Sequence, residues 1–118
     1  MPRILLVDDD EDQLAIREMV LQALGHEVRT ATTTQAALSL ASAWPPHVVV
    51  MDLRLPTAAE GYALIERLPP PSRIIVLTGD ATARQRVLPV FRVLEKPCPS
   101  RVLTGAIAEA AAQDGTAG

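Results

Sequence analysis

Short apolar runs alternate with longer amphipathic stretches five times along the chain. The runs are Ile4 to Val7, Glu27 to Ala31, Val48 to Met51, Ile74 to Leu77 and Val93 to Glu95. Most are rich in Val, Ile and Leu, the composition of strands buried on both faces. Between the first two runs, Ile16, Met19, Val20, Ala23 and Leu24 recur at the spacing of a helix stripe laid on a sheet. Leu14 and Leu21 widen that apolar face, and Gly25 supplies a left-handed stop. Thr33 or Thr34 caps a second helix to Ala43, which Trp44-Pro45-Pro46 breaks. A third runs from Tyr62 to Leu68 and ends at Pro69-Pro70-Pro71. Thr82 to Leu88 forms a short fourth, terminated or kinked by Pro89. Ser100 caps the last, which runs to about Ala112.

Strict alternation of strand and helix means parallel strands joined by right-handed crossovers, with helices on both faces. The predicted fold is therefore α/β, a doubly wound five-stranded parallel sheet of flavodoxin-like order with a shortened fourth helix. Residues 1–113 are expected to form this one domain, with 114–118 a frayed polar tail. At 118 residues there is room for a single core that needs no metal or disulfide staple.

Composition narrows the function. Apolar residues make up 48% and charged residues 21%, the balance of a soluble globular protein. The longest apolar runs stop far short of the roughly 20 residues a spanning helix needs, and Met-Pro-Arg begins no signal peptide. The expectation is a cytoplasmic protein that engages no membrane. A net charge of -3, no basic cluster and one each of Trp, Tyr and Phe predict no direct contact with nucleic acid. Any DNA-binding effector would then lie on another chain. The single cysteine, Cys98, excludes an internal disulfide, and no Cys/His spacing suits zinc, so a structural thiol is expected.

In an open parallel sheet the ligand crevice lies outside the carboxyl ends of the strands, where strand order switches. Here those ends carry polar groups although apolar residues lead into them. The first strand ends in Asp8-Asp9-Asp10 with Glu11 and Asp12 behind it, the third in Asp52, the fourth in Thr78-Gly79-Asp80 and the fifth in Lys96-Pro97. Alone, Asp8 to Asp12 reads equally as a solvated turn complementing a helix dipole, with Asp12 capping the Leu14 and Ala15 amides. Asp52 is harder to set aside, because an unpaired charge after four apolar residues is expensive to bury. If Asp8, Asp9 and Asp52 converge, two charges about 4 Å apart repel by roughly 4 kcal/mol at an effective dielectric near 20. A hard divalent cation with oxygen ligands relieves that repulsion, and Mg2+ suits a site with few carboxylates. A carboxylate beside a metal can act as nucleophile toward phosphorus, with Lys96 and the Thr78 hydroxyl meeting the phosphoryl oxygens.

The motifs Ile-Leu-Leu-Val-Asp-Asp-Asp, Met-Asp-Leu-Arg-Leu-Pro, Leu-Thr-Gly and Leu-Glu-Lys-Pro resemble, in combination, the receiver domains of bacterial two-component response regulators, over nearly the whole chain from Pro2 to about Ala112. The resemblance implies a phosphoacceptor at Asp52 that takes its phosphoryl group from a histidine kinase or histidine phosphotransfer protein and then switches conformation toward a downstream target. It implies Mg2+ held by Asp9, Asp52 and the backbone carbonyl of Arg54, with Asp8 assisting through water. Thr78 would be the switch hydroxyl and Lys96 the phosphate contact, its bond to Pro97 often cis. Such a domain is no enzyme beyond its own phosphorylation and dephosphorylation. Arg54 and Asp80 occupy positions flanking the path of attacking water, where an Arg/Asp pair would slow hydrolysis of the aspartyl phosphate.

The chain departs from the family pattern in places. The aromatic residue usual three positions before the lysine is Val93, and Phe91 either replaces it or fills core. The stretch from Thr78 to Lys96 is short, which puts dimerisation through the fourth helix and last strand in doubt. Thr57-Ala58-Ala59-Glu60-Gly61 is one residue longer than the usual turn, and Cys98 stands where phenylalanine is frequent. Two other readings stay open. One is a degenerate receiver that binds a partner without phosphorylation, and the other a haloacid-dehalogenase-like phosphatase with Asp8 as nucleophile and Asp10 as general acid. Three contexts fit such a chain: a stand-alone regulator, a phosphorelay shuttle, or a receiver cut from a longer protein such as a hybrid histidine kinase.

Overall fold

Buried, β-rich runs dictate the centre of the molecule. In the computed structural model, which describes residues 2–54, 57–68, 73–79 and 90–115, five strands form one parallel sheet: β1 (Arg3–Val7), β2 (Glu27–Ala31), β3 (Val48–Asp52), β4 (Arg73–Thr78) and β5 (Arg92–Glu95). Their order is β2-β1-β3-β4-β5. The chain steps outward from β1 to β2, then returns to place β3 on the other side of β1, so the switch point lies between β1 and β3. Among the described residues four helices complete the fold: α1 (Glu11–Ala23), α2 (Thr34–Ala43), α3 (Ala58–Arg67) and α4 (Ser100–Gly115). The alternation read from the sequence is therefore the fold. The helix expected at Thr82 to Leu88 lies outside the described residues, as does the end of the tail. The last helix continues to Gly115, past the predicted Ala112.

Because side chains alternate along a strand, the central strands feed two cores. Leu5, Val7, Val49, Met51, Ile74 and Val76 pack against Ala37 and Ala41 of α2 and Leu64 and Ile65 of α3. Ile4, Leu6, Val48, Val50, Ile75 and Leu77 pack against Leu14 and Leu21 of α1 and Leu103 and Ile107 of α4. Burial of each such side chain contributes about 1.5–3 kcal/mol before the entropy of ordering is set against it. Phe91 joins the α1/α4 core and Val93 the α2/α3 core, so Phe91 fills core on the opposite face and does not replace the aromatic residue missing at Val93.

The face of α1 differs from the expected one. Leu14 and Leu21 are the buried residues, whereas Ile16, Met19 and Leu24 are 56%, 70% and 58% exposed, and Val20 and Ala23 are also exposed. The inward stripe is Leu14, Arg17, Leu21, with a charged residue at its centre. That charge removed the stripe from the apolar count and let the outward face score as the hydrophobic one.

Helix ends follow local hydrogen bonding. Asp10, not Asp12, caps α1, its carboxylate accepting from the Asp12 and Gln13 amides. At the other end Gly25 adopts φ 92°, with its own amide donating to Gln22 and that of His26 to Leu21, a Schellman closure. Thr33 caps α2 through the Ala36 amide. Helix α3 starts four residues before the predicted Tyr62, because Thr57 caps it through the Glu60 amide, so the stretch expected as a longer loop forms its first turn. Gly61 is required in that turn: a Cβ there would stand 1.8 Å from the Leu53 carbonyl oxygen. Ser100 lies inside the first turn of α4, where the Pro99 carbonyl accepts from Val102 and Leu103, so it is not the cap.

The corrected orientation of α1 has a direct consequence for stability. Leu21→Ala should cost about 3 kcal/mol in urea unfolding, and Met19→Ala less than about 0.5 kcal/mol. Equal losses would return Met19 to the core.

Candidate functional site

Strand parity brings the charged residues to one place. Asp8 continues the Ile4, Leu6 series of β1 and Asp52 the Val48, Val50 series of β3, both on the side of the sheet covered by α1 and α4. Lys96 continues from Leu94, which packs in the same core. One ligand oxygen from each of Asp8, Asp9 and Asp52 lies within 4.8 Å of the others, at the switch point. Asp8 is buried, Asp52 partly buried and Asp9 exposed.

Each carboxylate is held differently. Asp8 Oδ1 accepts from the Asp10 amide at 2.9 Å, and Oδ2 from Arg17 Nη1 at 3.0 Å. Asp52 Oδ1 accepts from the Arg54 amide at 3.1 Å, which fixes the turn leaving β3 and with it the neighbouring backbone. Asp52 Oδ2 accepts from Lys96 Nζ at 2.5 Å. Lys96 is fastened in turn: its amide donates to the Thr78 carbonyl at 2.7 Å, and the Lys96–Pro97 bond is cis. Thr78 is buried at the end of β4, one residue past the register partner of Asp52, Leu77. Asp80 lies outside the described residues, so the expected pairing of Arg54 with Asp80 does too.

Three carboxylates that close together need positive charge, and two side chains supply it, Lys96 to Asp52 and Arg17 to Asp8. The donor set is all oxygen and its partly open side is Asp9, which fits a hard divalent cation such as Mg2+ better than a soft one. Arg17 is the member that the sequence reading missed. Its signal was its position, three residues from Leu14 and four from Leu21, a cation on the inward stripe.

Beside the carboxylates an open cleft is lined by Gln13, Arg17, Lys96, Pro97 and Cys98. Burial pushes the Cys98 thiol up, against the opposing charge of Arg17, so it stays protonated near neutral pH. Its packing against the α1/α4 core agrees with a structural thiol. Among the described residues no helix is long and apolar enough to cross a membrane.

The comparisons with known proteins agree with this geometry. The family model described as the response regulator receiver domain matches residues 4–108. The photosynthetic apparatus regulatory protein RegA of Rhodovulum sulfidophilum is 34% identical over 113 residues, 90% of this chain and 61% of that protein. The transcriptional regulatory protein AfsQ1 of Streptomyces coelicolor is 30% identical over 91% of this chain and 50% of its own length. The chain thus spans half to three fifths of these relatives. Among solved structures, a CheY-like receiver domain protein from Methanospirillum hungatei superposes with a TM-score of 0.90 at 28% identity, covering 100% of this chain and 99% of that one. A response regulator from Burkholderia pseudomallei, solved with a phosphorylated aspartic acid, a calcium ion and citrate, gives 0.81 at 28% identity, covering 98% of this chain and 72% of the other. With the sheet order, the carboxylate cluster and the family match in agreement, the chain belongs to the receiver domains of response regulators.

Proposed function

We propose that this receiver takes a phosphoryl group onto Asp52 from a phosphohistidine donor, with Mg2+ bound at Asp9, Asp52 and the Arg54 carbonyl and Asp8 assisting through water. The observation that carries the reading is the contact between Lys96 Nζ and Asp52 Oδ2 within the triple-aspartate cluster. It supports a reading in which Asp52 is the carboxylate nucleophile, the aspartate cluster the place for a cation and Lys96 the positively charged phosphate contact, all at one end of the sheet. The phosphorylated aspartate and calcium ion named for the Burkholderia relative support it by likeness.

In the transfer a carboxylate oxygen of Asp52 forms the new bond to phosphorus, while the bond between phosphorus and the donor imidazole nitrogen breaks. The electron pair of that bond stays on the ring nitrogen, and the imidazole departs neutral because its other ring nitrogen already carries a proton. When bound, Mg2+ supplies charge neutralisation for the phosphoryl oxygens. Lys96 exchanges its carboxylate partner for a phosphoryl oxygen as Asp52 becomes an acyl phosphate. The added charge and acceptor oxygens draw the Thr78 hydroxyl inward, and the backbone link from Thr78 to Lys96 couples that movement to β5 and its loop. Arg54, two residues past Asp52 and exposed, would in this reading act with Asp80 to slow hydrolysis of the aspartyl phosphate. The phosphatase reading is disfavoured because the Asp10 carboxylate caps α1 and Asp8 is buried in an ion pair with Arg17.

The partner surface follows from the same helix. Ile16, Met19 and Val20 form an exposed apolar face on α1, and the groove beside them includes Arg17, which also lines the cleft at Lys96. Exposed apolar area that runs into a charged pocket suits a protein donor that must bring a histidine to Asp52, which is the histidine kinase or phosphotransfer protein.

Incubation with acetyl phosphate and Mg2+ should add the mass of one phosphoryl group. Asp52→Asn should abolish the gain, and label surviving in that variant would remove Asp52 as acceptor. Lys96→Met should slow the reaction at least about tenfold while the chain remains folded, a loss of one charge-assisted contact in the transition state. Ile16→Asp should depress transfer from a histidine kinase at least about tenfold and leave acetyl phosphate labelling intact, since only the protein donor needs the apolar face. Equal depression of both would dismiss α1 as the docking helix.

A further inference from the structure

Asp8 is 2% exposed, and an ionised carboxylate so placed is costly without a partner. Both of its oxygens are engaged: Oδ1 by the Asp10 amide and Oδ2 by the Arg17 guanidinium. The guanidinium of Arg17 is no flexible point charge but a planar fork of donors that matches a carboxylate. Nor does it hang free in solvent. It rises from the inward stripe of α1 between Leu14 and Leu21, and its side chain lines a narrow groove with Ile16, Val20, Leu103 and Thr104.

The charge count of the pocket follows. Asp8, Asp9 and Asp52 carry three negative charges, and Arg17 and Lys96 two positive ones, which leaves one net negative charge. The two resident cations therefore already perform most of the neutralisation that would otherwise call for a divalent ion. A metal entering the pocket must share Asp8 with a fixed guanidinium and Asp52 with a lysine, and repulsion between these positive charges opposes entry.

We propose that Arg17 is a resident counter-ion that competes with the divalent cation for Asp8 and lowers the affinity of the unphosphorylated site for Mg2+. Through Arg17 the pocket holds its buried carboxylate in the absence of metal. Metal loading then becomes favourable when further negative charge, such as a phosphoryl group, arrives. The inference rests on the phosphoacceptor reading of the site and assigns Arg17 a regulatory part in it.

Calorimetric titration of MgCl2 into the protein and into Arg17→Gln tests it without any turnover. Arg17→Gln should bind Mg2+ about tenfold more tightly or better, because one of two opposing charges has gone. The same variant should be less stable than the parent without metal and gain more in Tm at saturating MgCl2, since tighter binding to the folded state raises stability more. If Arg17→Gln is unfolded without metal, recovery of its circular dichroism during the MgCl2 titration reports the same affinity. Binding in the variant equal to or weaker than in the parent overturns the inference while the metal reading stands. No Mg2+ binding by either protein overturns both.

Discussion

Neutralising three carboxylates at the end of a parallel sheet is the constraint on which this molecule depends. The backbone of such a sheet brings its strand ends together whatever they carry, so Asp8, Asp9 and Asp52 meet once β1 and β3 pair. Their repulsion falls at the end of a buried, apolar stretch of sheet, Ile4 to Val7 and Val48 to Met51, where little else offsets it. Lys96 and Arg17 are placed to answer that repulsion. Each reaches the cluster from an element fixed by packing elsewhere, β5 in the first case and α1 in the second.

The scaffold achieves this with ordinary means. Two cores, one on each side of the sheet, lock the strands in register, and strand parity then decides which end residues face α1 and α4. A slip of one residue in β3 would turn Asp52 to the other face and Met51 toward the pocket. Close approach of α3 to the turn after Asp52, possible only because residue 61 lacks a side chain, holds that turn from the far side. The amide of Arg54 holds it from within. Position 52 is thus over-determined, its oxygens held at one place by the Arg54 amide and Lys96.

Much of this was legible in the residues. The alternation of Val/Ile/Leu runs with amphipathic stretches predicted the strand set, and the rule for parallel sheets directed attention to what followed each run. Asp8, Asp9, Asp52 and Lys96 are the outcome of that search. Less legible were features settled by one hydrogen bond. Asp10 and Asp12 are both competent caps, and the choice between them turned on where the chain leaves β1. The early start of α3 was hidden by the Ala-Ala-Glu-Gly stretch, whose glycine reads as loop but serves the contact with Leu53. Periodicity failed at α1 for a different reason. Its method counts apolar residues, and the inward stripe contains an arginine.

That failure and the pocket's chemistry have a common origin. A helix that laid an unbroken apolar stripe on the sheet would leave Asp8 facing hydrocarbon, with only an amide for company. Placing Arg17 between Leu14 and Leu21 breaks the stripe and answers the carboxylate, and the apolar residues Ile16, Met19 and Val20 then remain on the outside of the same helix. Local patterning is violated on both faces of α1, inward by a charge and outward by exposed hydrocarbon. Violations of this kind concentrate where function constrains a sequence more tightly than folding does. On α1 the two are adjacent, one at the acidic pocket and one where a partner would approach it. Through Arg17 a single helix thus joins the acidic pocket on its inner side to an exposed apolar face on its outer side.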